Sequence, residues 1–140
     1  MKNYNTIFEF IIGLFGVVIH TIIVTFIVAY KAMPGSLEAI IETTSGEERI
    51  LLEQFISDVN DLSFMVYFGS AIVIFEWIAI FRILKHSDRC TPIWTTFLIL
   101  GALYAFFYFG GLEVFILLMA SALITLTRYF LNKKKKSSLQ

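Results

Sequence analysis

The first long apolar run decides the solvent in which this chain folds. Ile7 to Tyr30 reads IFEFIIGLFGVVIHTIIVTFIVAY, 24 residues with one carboxylate near the start and one histidine past the middle. As a helix it reaches ~36 Å, enough to cross a ~30 Å hydrocarbon core with tilt. Three more runs follow, Leu62 to Leu84, Ile93 to Phe109 and Leu112 to Leu131. The expected fold is therefore an all-α membrane protein: a four-transmembrane-helix bundle forming one unit over residues 1–140. Composition agrees, since 58% of the chain is hydrophobic and 16% charged, against ~45–50% and ~25% in soluble proteins. A cleaved signal peptide is not expected at the N-terminus, because such segments have a shorter apolar core and a basic start, whereas Glu9 here offsets Lys2.

Between the first two spans lies a polar segment, residues 31–61. The turn signal MPGS (Met33 to Ser36), with Ser36 as a cap, predicts a short helix ending near Gly46. Ser45 and Glu48 have capping-box spacing, and Leu51, Leu52, Phe55, Ile56, Val59 and Leu62 recur at helical spacing. Two short amphipathic helices are predicted, lying on the bilayer or over the bundle, as a structured connector or as a partner-binding surface. A polar link, Lys85 to Pro92, joins spans two and three; Gly110-Gly111 is the turn between spans three and four. The tail, Asn132 to Gln140, is expected to be disordered.

Charge is segregated along the chain although Lys+Arg and Asp+Glu both count 11. With the N-terminus inside, nine of the eleven cations fall inside: Lys2, Arg82, Lys85, Arg89, Arg128 and Lys133 to Lys136. Seven of the eleven acids, Glu38, Glu42, Glu47, Glu48, Glu53, Asp58 and Asp61, fall on the first loop outside. The rule that cytoplasmic loops carry the Lys/Arg excess predicts a multi-pass plasma-membrane protein with both termini cytoplasmic. Lys133, Lys134, Lys135 and Lys136 are expected at anionic lipid head groups, at ~1 kcal/mol each. No basic face for nucleic acid is present.

Glu76 interrupts the run AIVIFEWIAIFRILK, and a charge at the bilayer centre costs ~2.5–3.5 kcal/mol on the insertion scale. Counting from span ends places Glu76 ~12 Å and His20 ~20 Å above the inner boundary. That ~8 Å offset argues against a direct His20–Glu76 pair. Ser121 to Thr125 on the last span share the level of Glu76, so a neutral Glu76 donating to Ser121, Thr125 or a backbone carbonyl is the expected arrangement, as low dielectric favours the uncharged form. Structural linkage between helices, a proton or cation relay, and an interfacial position all remain open for Glu76. His20 is expected to be a hydrogen-bonded packing residue. Glu9 and Glu113, near the two boundaries, are expected to reach water.

Gly13, Gly16, Gly69, Ser70, Ala71, Ala120, Ser121 and Ala122 are expected to let helices approach closely. The aromatic stretch YAFFYF, Tyr104 to Phe109, suits an interfacial belt. Cys90 stands alone, so no internal disulfide forms, and an inert reduced thiol is expected. His20 and His86 lie far apart, so no metal-ligand spacing exists. No Ser/His/Asp set, paired intramembrane aspartates or phosphate loop is present, so neither an enzyme nor a cofactor is expected.

Three stretches, NTIFEFIIGLFGVVI, TPIWTTFLILGALYAF with its central Gly101, and FILLMASALITLTRYFLNKKKK, resemble the small four-helix bacterial membrane proteins grouped as domain-of-unknown-function family 4064. The plan of four spans with a long first outer loop is similar over nearly the whole chain. The resemblance implies a Gram-positive plasma membrane; it implies no activity and no site residues. The functional expectation is an accessory, interaction or immunity-type protein acting through its acidic outer loop on another membrane protein or a cationic peptide. The alternative is an oligomeric, proton-linked carrier using Glu76.

Overall fold

The computed structural model describes residues 4–33, 35–61, 63–85 and 91–137. Six helices follow one another: α1 (Tyr4–Ala32), α2 (Gly35–Thr43), α3 (Glu47–Asp61), α4 (Ser63–Leu84), α5 (Thr91–Phe109) and α6 (Leu112–Ser137). Among the described residues there is no strand. Four helices, α1, α4, α5 and α6, are long and apolar enough to cross a membrane. The protein is an all-α membrane bundle. His86 and Cys90, and with them the expectation of an inert thiol, lie outside the described residues.

The four long helices run up and down in a ring, with α1 against α4, α4 against α5, α5 against α6 and α6 against α1. Successive spans alternate in direction, so neighbours are antiparallel, and the ring closes because the first and last helices meet. Its core is a layer of small and branched side chains: Val17, Ala79, Ile80, Leu98, Ala102, Ala105, Val114, Leu118 and Ala122 are all fully enclosed. The large apolar residues instead face out. Phe8, Phe15, Ile22, Phe26, Phe64, Phe75, Phe81, Phe107 and Phe130 are exposed. In water this arrangement would be inverted. In lipid, helices associate through close packing and polar contacts rather than through the hydrophobic effect, so small residues belong inside and phenylalanines outside. Of the small residues expected at the helix contacts, Gly13, Gly16, Gly69, Ser121 and Ala122 are buried, Ser70 and Ala120 are half-buried, and Ala71 is exposed.

The α5–α6 turn forms where Gly110-Gly111 predicts it. Gly110 takes φ 59°, a left-handed conformation that ends a helix without a Cβ penalty. Gly111 N–H then donates to Ala105 O at 3.1 Å. At the opposite end from the termini, α2 and α3 form a helical hairpin through Gly46 (φ 76°). Thr43 and Thr44 hydroxyls both donate to Ile40 O, at 2.8 and 2.7 Å, closing α2. Leu52 and Ile56 of α3 dock on Ile27, Tyr30 and Val66 at the mouth of the bundle.

The helical hairpin matches expectation, but the tail does not. α6 continues through Lys133, Lys134 and Lys135 to Ser137, where disorder was expected; the rest of that tail, residues 138–140, lies outside the described residues. A span that reaches the bilayer surface as helix already carries the nucleus that costs most in helix formation, and lysine propagates it well.

A buried polar core as the candidate functional site

Two polar clusters lie inside the ring, one near its middle and one toward the end that carries the termini. The middle cluster joins α1 to α4. His20 Nδ1 lies 2.9 Å from Glu76 Oε1 and 3.0 Å from Oε2, and both side chains are fully buried. Against an ionised carboxylate, which only accepts, Nδ1 carries the proton and donates to both oxygens. One residue further along each helix, Trp77 Nε1 donates to Thr21 Oγ1 at 3.0 Å, and the Thr21 hydroxyl donates back to Val17 O at 2.6 Å.

This direct His20–Glu76 pair corrects the expectation that an ~8 Å offset keeps them apart. The count of levels by rise per residue omitted the lean of side chains. Every Cα–Cβ bond in a helix tilts toward its N-terminus. On antiparallel helices, His20 therefore leans toward the terminal end and Glu76 leans away from it, so the two heads converge across the offset.

Helix α5 completes the pocket for the carboxylate. A Cβ built on Gly101 would collide with Glu76 Oε1 and lie 2.6 Å from Cδ, so only glycine fits beside it. Tyr104, one turn along α5, places its ring 5.9 Å from the His20 ring and donates its hydroxyl to Met65 O. The expectation that Tyr104 belongs to an interfacial belt is corrected: it is buried. Gly69 is the reason, since any Cβ there would collide with the Tyr104 phenol. Phe106, Phe107 and Tyr108 of the same stretch do face outward.

The second cluster joins α1 to α6. Arg128 Nη2 pairs with Glu9 Oε2 at 3.0 Å, and Thr125 Oγ1 donates to the same oxygen at 3.0 Å and to Ser121 O at 2.8 Å. Ser121 Oγ donates to the backbone oxygen of Glu9 at 3.0 Å. Glu9 is fully buried, so the expectation that it reaches water is corrected. Ser121 and Thr125 serve Glu9, not Glu76 as expected. The physical cause is the order of helices in the ring, in which α6 packs on α1 and not on α4, with Gly13 leaving α1 open to α6: a Cβ there would sit 2.6 Å from Ser121 Oγ. A signal for this cluster was present in the sequence. Ser121, Thr125 and Arg128 stand at i, i+4 and i+7, one face of one helix, and Arg128 supplies the only basic group on that face within the span. Glu113 is exposed, as expected.

Between the clusters the ring is sealed by apolar groups. Gly13, Gly16 and Val17 separate Glu9 from His20 along α1, and Ile80 and Leu118 pack against those glycines, with Val17, Ile80 and Leu118 fully enclosed. The described residues thus form no continuous polar path from one cluster to the other. Nor do any three of their His, Cys, Asp and Glu side chains group as a metal ion would need. Chemically, each cluster can hold two helices in register, and the His20–Glu76 pair can hold a proton between its imidazole and its carboxylate. Lys133, Lys134 and Lys135 stand exposed on the last turns of α6, beyond the second cluster.

No protein-family model, curated protein or solved structure matches this chain.

Proposed function

We propose that this protein is an accessory component of the plasma membrane, with both termini cytoplasmic, that captures a cationic partner on its α2–α3 hairpin. The partner is a basic peptide or a basic segment of another membrane protein, and immunity against a membrane-active cationic peptide is the subtype this chemistry fits. The observation that carries the reading is the exposure of Glu38, Glu42, Glu47, Glu48 and Glu53 on the hairpin. Arg49 is the hairpin's one cation and is engaged by Glu53 at 2.8 Å, so Glu38, Glu42, Glu47 and Glu48 face solvent with no cation paired to them among the described residues, within reach of a ligand's charge at a Debye length of ~8–10 Å. Ile40, Ile50 and Leu51 are exposed beside them and add apolar contact area for an amphipathic ligand. The resemblance to family 4064 supports the same membrane and leaves the partner open.

The test uses the full chain in nanodiscs of zwitterionic lipid and an amphipathic Lys-rich peptide as probe. Binding is expected to weaken at least tenfold when Glu38, Glu42, Glu47 and Glu48 are changed to Gln, and to fall steeply with salt. Equal binding by both forms overturns the reading.

A second reading, an oligomeric carrier linked to proton movement, is supported by the enclosed His20–Glu76 pair, since an intramembrane ionisable pair marks proton relays in transporters. Glu76→Gln in proteoliposomes discriminates: proton-coupled flux present in the wild type and lost in the variant favours the carrier, and flux absent from both dismisses it.

A further inference from the structure

Along the outside of the α1–α6 seam, at the end that carries the termini, runs a groove of about 680 Å³. Its walls are Phe8 of α1 and Leu123, Ile124 and Leu131 of α6. Its polar end is made by Thr127, Arg128 and Asn132, with Glu9 at the floor. That volume lies within the ~300–1,000 Å³ of small-molecule sites. The groove is graded along its length. Leu123 and Ile124 lie deepest in the span; Arg128 follows one turn later, and Asn132 a turn beyond. Lys135, seven residues after Arg128, returns to the same face, ~10 Å further along the axis.

Such a gradient, apolar walls leading to a basic end near the bilayer surface, matches one class of molecule that surrounds the protein at high concentration. We infer that the groove is a binding site for a single anionic phospholipid, with an acyl chain against Phe8, Leu123, Ile124 and Leu131 and the phosphate at Arg128, Asn132 and the lysine turn. Charge complementarity carries the choice of occupant. Glu9 is the groove's one acid, and it is neutralised by Arg128 Nη2 and Thr125. The Arg128 side chain is 18% exposed, and Lys133, Lys134 and Lys135 extend as ordered helix rather than a loose tail. Glu9 and Arg128 cancel within the groove, so the positive charge at this end comes from Lys133, Lys134 and Lys135, exposed just beyond it, and a basic patch beside transmembrane helices is a setting in which anionic head groups are recognised. A zwitterionic lipid would fill the same walls but bring an ammonium against Arg128. This site is independent of the hairpin, so it stands or falls apart from the function proposed above.

The experiment titrates the full chain in mild detergent with phosphatidylglycerol or phosphatidylcholine of identical acyl chains and reads retained lipid by native mass spectrometry. The wild type is expected to retain one phosphatidylglycerol with at least fivefold preference. Ile124→Trp/Leu131→Trp, and separately Thr127→Trp, fill the groove from its exposed side and leave Glu9, Thr125, Arg128 and the lysines untouched. Each is expected to lose that preference at least fivefold, with thermal unfolding near that of the wild type. Equal retention of the two lipids by the wild type overturns the site. So does an undiminished preference in a folded groove-filled variant, which would reduce the effect to the surface attraction of the lysines.

Discussion

His20 and Glu76 face each other across the α1–α4 contact, Nδ1 to Oε1 at 2.9 Å, with neither side chain open to the surroundings. The pair carries a definite energetic signature. In its ionised form each group of such a pair compensates the other, and removing one leaves the second uncompensated at a cost of ~3–5 kcal/mol. In a bilayer the stranded group finds other partners in the unfolded reference state, which lowers the figure.

Glu76→Ala is accordingly expected to destabilise the bundle by ~2–3 kcal/mol, read by unfolding titration in bicelles. His20→Leu/Glu76→Met, which removes both polar heads and keeps the volume, is expected to recover most of that loss. A double variant as unstable as Glu76→Ala would show that the pair contributes far more than mutual compensation.

Gly101 tests the geometry of the same pocket. Gly101→Ala drives a methyl into the Glu76 carboxylate and is expected to cost ~1–3 kcal/mol by overpacking. Gly101→Ala/Glu76→Asp withdraws the carboxylate by one methylene. The double-mutant cycle is then expected to show a favourable coupling of ~1 kcal/mol, and zero coupling would contradict the contact.

The second cluster predicts its own asymmetry. Arg128→Gln removes the cation from buried Glu9 while Thr125 still donates to it and is expected to cost ~2 kcal/mol. Glu9→Gln/Arg128→Gln is expected to cost less than Arg128→Gln alone, because two amides satisfy each other. The same titration measures both, and additive losses would break the assignment.

Orientation is open to labelling. In a Cys90→Ser background, Glu48→Cys is expected to react with a membrane-impermeant maleimide on intact cells. Ser137→Cys is expected to react only after the cells are opened. The reverse pattern would invert the topology and remove the acidic hairpin from the outer face.

The hairpin is held by few side chains, so its opening is tunable. Leu52 and Ile56 are half-buried against the bundle mouth, and Leu52→Ala/Ile56→Ala is expected to cost ~1–2 kcal/mol locally. That raises cleavage by a Glu-specific protease about tenfold, while Ile50→Ser, at an exposed position, is expected to leave the rate unchanged.

The sequence alone determined which stretches leave water. Backbone polar groups in hydrocarbon must be satisfied within the segment, so 20-residue apolar runs become helices at nearly their written boundaries, and Gly110 ends α5 where a left-handed residue is needed. It did not reveal which face of each helix points inward. In water, apolar periodicity marks the buried face; in lipid both faces are apolar, and that periodicity carries no information. Small and polar residues were the surviving marks; they singled out His20, Glu76, Ser121 and Thr125, all buried in the bundle, but passed over the equally buried Glu9 and did not pair them. Pairing required the rotation of each helix, the order of helices in the ring and, for His20 and Glu76, the opposed lean of side chains on antiparallel neighbours. Only the packed bundle decided those, joining Glu76 to His20 beside Gly101 and giving Ser121, Thr125 and Arg128 to Glu9.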